Sequence, residues 1–251
     1  MAVQEVGASG GLFRGNAAYA PRTPWGPWLG VLATLLVLGI SIVAGGALGS
    51  PMGAKWRPAG VQNLELLILG AWQALVIILT LLLSALGDGR VSEVLALGRP
   101  PGAPRVYLAA FLLLAALNTI VSVVQYFLFP QNMYTDLRPF VGFMTGPDWL
   151  WALLVVGIGA PLSEELLFRG FLLSALSRSR LGFLGAALIS TAAWAALHAT
   201  YTALGIAEVF LIGLFFCWLL WRTGSLRVAI FCHALYNSLI VLVLRYVPLP
   251  A

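Results

Sequence analysis

Apolar residues in this chain are grouped into long blocks rather than spaced at the period of an amphipathic surface helix or strand. Seven blocks stand out, near 27–49, 63–86, 106–128, 149–176, 182–199, 203–221 and 226–247. A bilayer core of about 30 Å is crossed by about 20 apolar helical residues, so each block is predicted as a transmembrane helix. The breaks between them are turn-like: Gly53 and Pro58, Gly98 through Pro104, Pro130 through Pro139, Ser177 through Arg180, and Thr223-Gly224. The break near 199–204 is short and uncharged, so the fifth and sixth segments could form one interrupted unit. Trp25, Trp28, Trp149, Trp151, Trp218 and Trp221 fall near predicted helix ends, as an interfacial aromatic belt requires. The expectation is an all-α polytopic transmembrane bundle of about seven spans, eight on the widest count. Residues 1–24 are expected as a flexible tail, 25–130 as N-terminal membrane helices and 148–247 as a C-terminal membrane core.

Composition supports this reading. Of the 251 residues, 61% are apolar and 9% charged, against about 45–50% and about 25% in soluble domains. So little charge cannot cover a water-facing surface. The net charge of +5 is spread through short loops without a basic patch, which points to the anionic membrane surface and away from nucleic acid. Cys217 and Cys232 lie inside apolar runs without CxxC spacing and read as packing residues. Lys and Arg in short loops favour the cytoplasm. Arg14, Arg22, Arg90, Arg99, Arg105, Arg178, Arg180, Arg222 and Arg227 fall on one side, and Lys55, Arg57, Arg138 and Arg245 on the other. The count predicts a cytoplasmic N-terminus, in a cell membrane of bacterial type.

Charges inside the spans change the picture, because an ionisable group in a bilayer is costly and marks function by default. The fourth span carries Glu164, Glu165 and Arg169. Glu165 and Arg169 are four apart and can pair on one face. Glu164 points about 100° away and has no basic partner on its own helix. A carboxylate so placed can accept a proton from water. An ion-pair cluster that merely locks helix packing is the competing structural reading. Pro161 frees a carbonyl one turn earlier, which protein or water must satisfy.

Both histidines of the chain lie in spans, His198 in the fifth and His233 in the seventh. His233 and Asn237 are four apart and can present two donors to one point, as an oxyanion requires. Asn118, Ser122 and Gln125 form a polar stripe on the third span, read as helix–helix hydrogen bonding or as a cavity wall. Glu208 is a further acid near the membrane without a sequence-local base.

Three motifs occur in order: Glu-Glu-x-x-x-Arg (Glu164, Glu165, Arg169), aromatic-x-x-x-His (Trp194, His198) and His-x-x-x-Asn (His233, Asn237). Together, over about 148–242, they resemble the CPBP family of intramembrane proteases, which includes CAAX prenyl endopeptidases and bacteriocin-immunity and lysostaphin-resistance proteins. The second motif of the family usually begins with Phe, where this chain has Trp194. The resemblance implies an endopeptidase acting on a membrane-associated peptide or lipid-anchored protein tail. Glu164 and His198 would activate water, His233 and Asn237 would stabilise the oxyanion, and Glu165, Arg169 and Trp194 would support them. It calls for no cofactor. The zinc alternative would use His198, His233 and Glu164, although no HExxH helix is present. A non-catalytic peptide-binding or immunity protein is the alternative on the same fold, and a proton-coupled transporter a third reading.

Overall fold

The computed structural model describes residue 12 and residues 18–51, 53–56, 63–86 and 90–250. Arg14 and Arg57 of the charge count, and most of the expected tail, lie outside these. Seven apolar helices follow in order: α1 (Pro27–Gly49), α2 (Leu64–Ala85), α3 (Arg105–Leu128), α4 (Trp149–Ser177), α5 (Gly182–Ala195), α6 (Ala203–Thr223) and α7 (Leu226–Tyr246). All but α5 are long and apolar enough to span a bilayer. The chain is a helical, multi-pass integral membrane protein. The 199–204 break is a true turn: α5 ends in a 3₁₀ turn at Ala196–His198, and Thr202 caps α6 by accepting from the Gly205 amide at 3.1 Å.

The bundle turns an apolar surface outward and buries a set of polar side chains within an otherwise apolar core. Leu29, Leu32, Leu36, Val43, Leu108, Phe127 and Leu184 face outward, while Thr34, Ser41, Gln73, Thr80, Ser84, Ser163, Ser190 and Thr191 are buried. So large an apolar exterior suits a surrounding medium of lipid. Several buried hydroxyls donate back to their own helix, as Thr34 does to the Gly30 carbonyl at 2.8 Å and Ser84 to that of Thr80 at 2.7 Å.

Helix α4 is central. Its most apolar window is 44% buried, against 17% in α3, because α1, α2, α5 and α7 all pack on it. Its backbone widens to π geometry twice, over Leu153–Gly159 and Glu165–Leu172, on either side of Pro161. Proline has no N–H to close the preceding turn, and π turns gather at functional sites. The carbonyls left over are met by α7: Asn237 Nδ2 donates to Val156 O at 3.1 Å and Ser238 Oγ to Gly157 O at 3.4 Å. Close contact there depends on Gly157, where a Cβ would lie 2.7 Å from Ser238 Oγ. Protein thus satisfies the carbonyls that Pro161 frees.

Two connections dock on the bundle. The 130–145 connection folds into two 3₁₀ turns and a short helix, Val141–Thr145. Its Asp136 accepts from the amide and the hydroxyl of Thr202, both at 2.8 Å, and so ties this connection to the α5–α6 turn. Residues 18–24 lie against the helices: Ala18 N donates to Trp221 O at 3.1 Å, and Tyr19 packs edge-on to Phe183. Burial pushes the Tyr19 phenol up to about 12.

Candidate active site

Glu164 stands near the midpoint of the 29-residue α4, about 20 Å along the helix from either end. The two glutamates have opposite surroundings. Glu165 is fully buried, and its Oε1 accepts from Arg169 Nη1 at 3.2 Å and from His233 Nδ1 at 2.9 Å. Arg169 is also fully buried, with its guanidinium 4.1 Å above the Trp194 ring and 5.7 Å from that of Phe216. Carboxylate, guanidinium and two aromatic faces form one buried packet, held through Glu165 Oε1, in which Glu165 Oε2, Arg169 Nε and Arg169 Nη2 have no hydrogen-bond partner among the described residues.

Glu164 is the carboxylate left open, with its side chain 13% exposed. Trp194 Nε1 donates to its Oε2 at 2.6 Å, and His233 Nε2 stands 3.9 Å from the same oxygen. The Glu165 carboxylate can only accept, so His233 carries its proton on Nδ1 and turns Nε2 toward Glu164. A water molecule about 2.8 Å from both atoms would subtend an angle of roughly 90°, within hydrogen-bonding range. The imidazole is stacked on Phe216 at 4.9 Å, which fixes its plane.

The residues singled out by sequence meet here in part. Glu164, Glu165, Arg169, Trp194 and His233 form one contiguous cluster. The imidazole beside Glu164 is that of His233. His198 lies one turn beyond Trp194, its ring 5.2 Å from the indole, with Nδ1 3.3 Å from the Trp194 carbonyl. That carbonyl can only accept, so Nδ1 donates to it and Nε2 is the other nitrogen of the partly exposed ring. Asn237 spends one amide hydrogen on the Val156 carbonyl and keeps a second. Helix α5 is short, and the 130–145 connection covers its terminal turn.

Sequence reasoning missed Tyr201. Its ring lies 5.1 Å from that of His198 and 6.3 Å from that of Phe140. Burial pushes its phenol up to about 12, with Glu164, Asp136 and Glu208 adding in that order. Only its spacing of three from His198 was available to find it. Glu208 is paired across helices: Gln125 of the polar stripe donates to its Oε2 at 3.0 Å, so helix–helix bonding is the role the stripe plays at that residue. Asn118 turns back to its own helix, donating to Leu114 O at 3.0 Å. Cys217 and Cys232 are buried free thiols.

Among the described residues no group of three or more His, Cys, Asp or Glu side chains is placed to hold a metal ion. One nitrogen of His233 is committed to Glu165, and His198 sits beyond the indole.

Residues 146–239 match the family described as type II CAAX prenyl endopeptidase Rce1-like. An Escherichia coli protein described as an uncharacterized 24.3 kDa protein is 41% identical over 91 residues. That alignment takes in 35% of this chain and 41% of the relative's length, so the chain spans less than half of it. No solved structure matches the chain.

Proposed function

We propose that the protein is an intramembrane endopeptidase that hydrolyses a peptide bond with water activated by Glu164, a reading supported by the match of residues 146–239 to the type II CAAX prenyl endopeptidase Rce1-like family. The observation that carries this reading is the unequal pair at mid-membrane. Glu165 is consumed by Arg169 and His233, while Glu164 is open, held by one indole N–H and faced by one imidazole nitrogen.

In the proposed reaction Glu164 takes a proton from a water molecule lodged against His233. The hydroxide adds to the scissile carbonyl carbon, and the oxygen of that carbonyl becomes an oxyanion. A donor for it is the second amide hydrogen of Asn237. The C–N bond then breaks, the nitrogen takes the proton held by Glu164, and a carboxylic acid and an amine are released. His198 acts from the open side of Trp194 on the water or on the leaving nitrogen. Arg169 offsets the buried charge of Glu165, which orients His233 as a carboxylate orients a catalytic imidazole. The reaction uses no metal. The substrate class is a membrane-associated peptide or a lipid-anchored protein tail, in keeping with a site at the centre of a bilayer helix.

Comparative membrane proteomics of wild type against Glu164→Gln, both at equal folded levels, tests the reading. Precursor peptides that accumulate uncut only in the variant support it. Identical peptide profiles would overturn it in favour of the non-catalytic peptide-binding reading.

A further inference from the structure

Arg138 and Arg245 share a cavity of about 500 Å³ at the face of the bundle where α4 begins and α7 ends, lined also by Val141, Thr145, Leu244 and Tyr246. Each guanidinium spends one nitrogen on a backbone carbonyl. Arg138 Nη2 donates to Pro250 O at 3.0 Å, and Arg245 Nη1 to Thr145 O at 3.5 Å. Among the described residues neither has a carboxylate within 4.0 Å. The nearest acid in sequence to Trp149, Asp148, is turned to the Asn63 amide at 3.0 Å. Arg245 Nε is buried without a protein acceptor. The Trp149 and Tyr246 rings lie 5.6 and 5.7 Å from the Arg245 guanidinium, so its flat faces are covered and its polar edge is what remains.

Two uncompensated guanidinium groups bordering one cavity call for an anion with several acceptor oxygens. Planar N–H forks match phosphate in geometry and in charge. The flanking Trp and Tyr mark this face as the interfacial level of the bilayer, where headgroup phosphates lie. We propose that this cavity binds a phosphate group, and that the headgroup of a bilayer phospholipid supplies it. The site lies some 12–15 residues along α7 and α4 from His233 and Glu164, about 20 Å at the helical rise, and does not depend on the proposed reaction.

Native mass spectrometry of the delipidated protein in detergent tests this, with phosphatidylglycerol, diacylglycerol of matched chains and inorganic phosphate as separate probes. Wild type is expected to retain one phosphatidylglycerol at least about tenfold more tightly than the variant carrying both Arg138→Gln and Arg245→Gln. Arg245→Lys is expected to fall between them, with melting temperature checked for each variant. Equal retention by wild type and the double variant would overturn the proposal. So would equal retention of phosphatidylglycerol and diacylglycerol by wild type. Competition by millimolar inorganic phosphate as effective as competition by the lipid would assign the site to a free anion and overturn the headgroup assignment.

Discussion

Trp194 Nε1 donates a 2.6 Å hydrogen bond to Glu164 Oε2, a contact that the phenylalanine usual at this motif position in CPBP proteins cannot make. The same indole carries the Arg169 guanidinium on its face at 4.1 Å. One side chain therefore steadies both the open carboxylate and the cation that offsets its closed neighbour. Trp194→Phe keeps the aromatic face and removes only the donor. A hydrogen bond to a charged group contributes about 1.5–3 kcal/mol to stability, so melting temperature is expected to fall by several degrees, and turnover to fall with it as Glu164 loses its fixed position. Trp194→Ala should also uncover Arg169 and lower stability further. Equal stability of the Phe and Ala variants would sink this division of roles.

The two adjacent glutamates should fail in different ways. Glu164→Gln removes the proton acceptor, and loss of general-base catalysis costs about 10²–10⁴-fold in rate. The fold should survive, because Gln can still accept from Trp194 Nε1. Glu165→Gln instead strands a fully buried Arg169, and breaking a buried pair costs about 3–5 kcal/mol. Thermal-shift size-exclusion runs beside peptidase assays separate the two. Similar melting temperatures for both variants would count against the assignment.

The helices were legible in the sequence because a bilayer imposes one length and one composition on every span. The seven expected segments agree with the seven helices to within a few residues at each end. The Glu165–Arg169 pair was legible because i,i+4 spacing is local geometry. What stayed hidden was set by packing between distant segments. His233 reaches both glutamates because Phe216 of α6 holds its ring, and no spacing within α7 encodes that. The 130–145 connection reads as a loop of prolines and mixed residues, yet Asp136 fastens it over the α5–α6 turn and brings Phe140 to Tyr201.

Gly213 of α6 sits where a Cβ would lie 2.6 Å from Thr191 Cγ2, 2.7 Å from Arg169 Nη2 and 3.0 Å from the Trp194 ring. Gly213→Ala should push the guanidinium off its aromatic seat and cost about 1–3 kcal/mol through overpacking. Activity should fall with stability, since Trp194 moves too. Adding Thr191→Ser removes the closest methyl and should restore part of the melting temperature. No recovery in the double variant would show that the crowding lies elsewhere.

Proteolysis by the proposed route should not depend on a resident metal. Purified protein dialysed against a strong chelator is expected to keep full activity in metal-free detergent buffer. Inactivation that added zinc reverses would move the reaction to the zinc set of His198, His233 and Glu164 and refute the metal-free scheme.

Tyr201 makes the alkaline limb of stability readable. It lies in the turn between α5 and α6, where burial first, and then Glu164, Asp136 and Glu208, push its phenol up to about 12. In the unfolded chain a tyrosine ionises near about 10. Between those values the unfolded state has released a proton that the folded state still holds, so stability falls as pH rises through that window. Below pH about 10 both states keep the proton and the phenol adds no slope. Tyr201→Phe removes this contribution and should flatten the loss of melting temperature between pH 10 and 12. It should also delete one late-titrating tyrosinate from the ultraviolet absorbance curve, while Tyr19, held up to about 12 by its own burial, continues to titrate late. An unchanged absorbance curve in the variant would mean that neither burial nor the carboxylate neighbours hold this phenol neutral, and would refute the assignment.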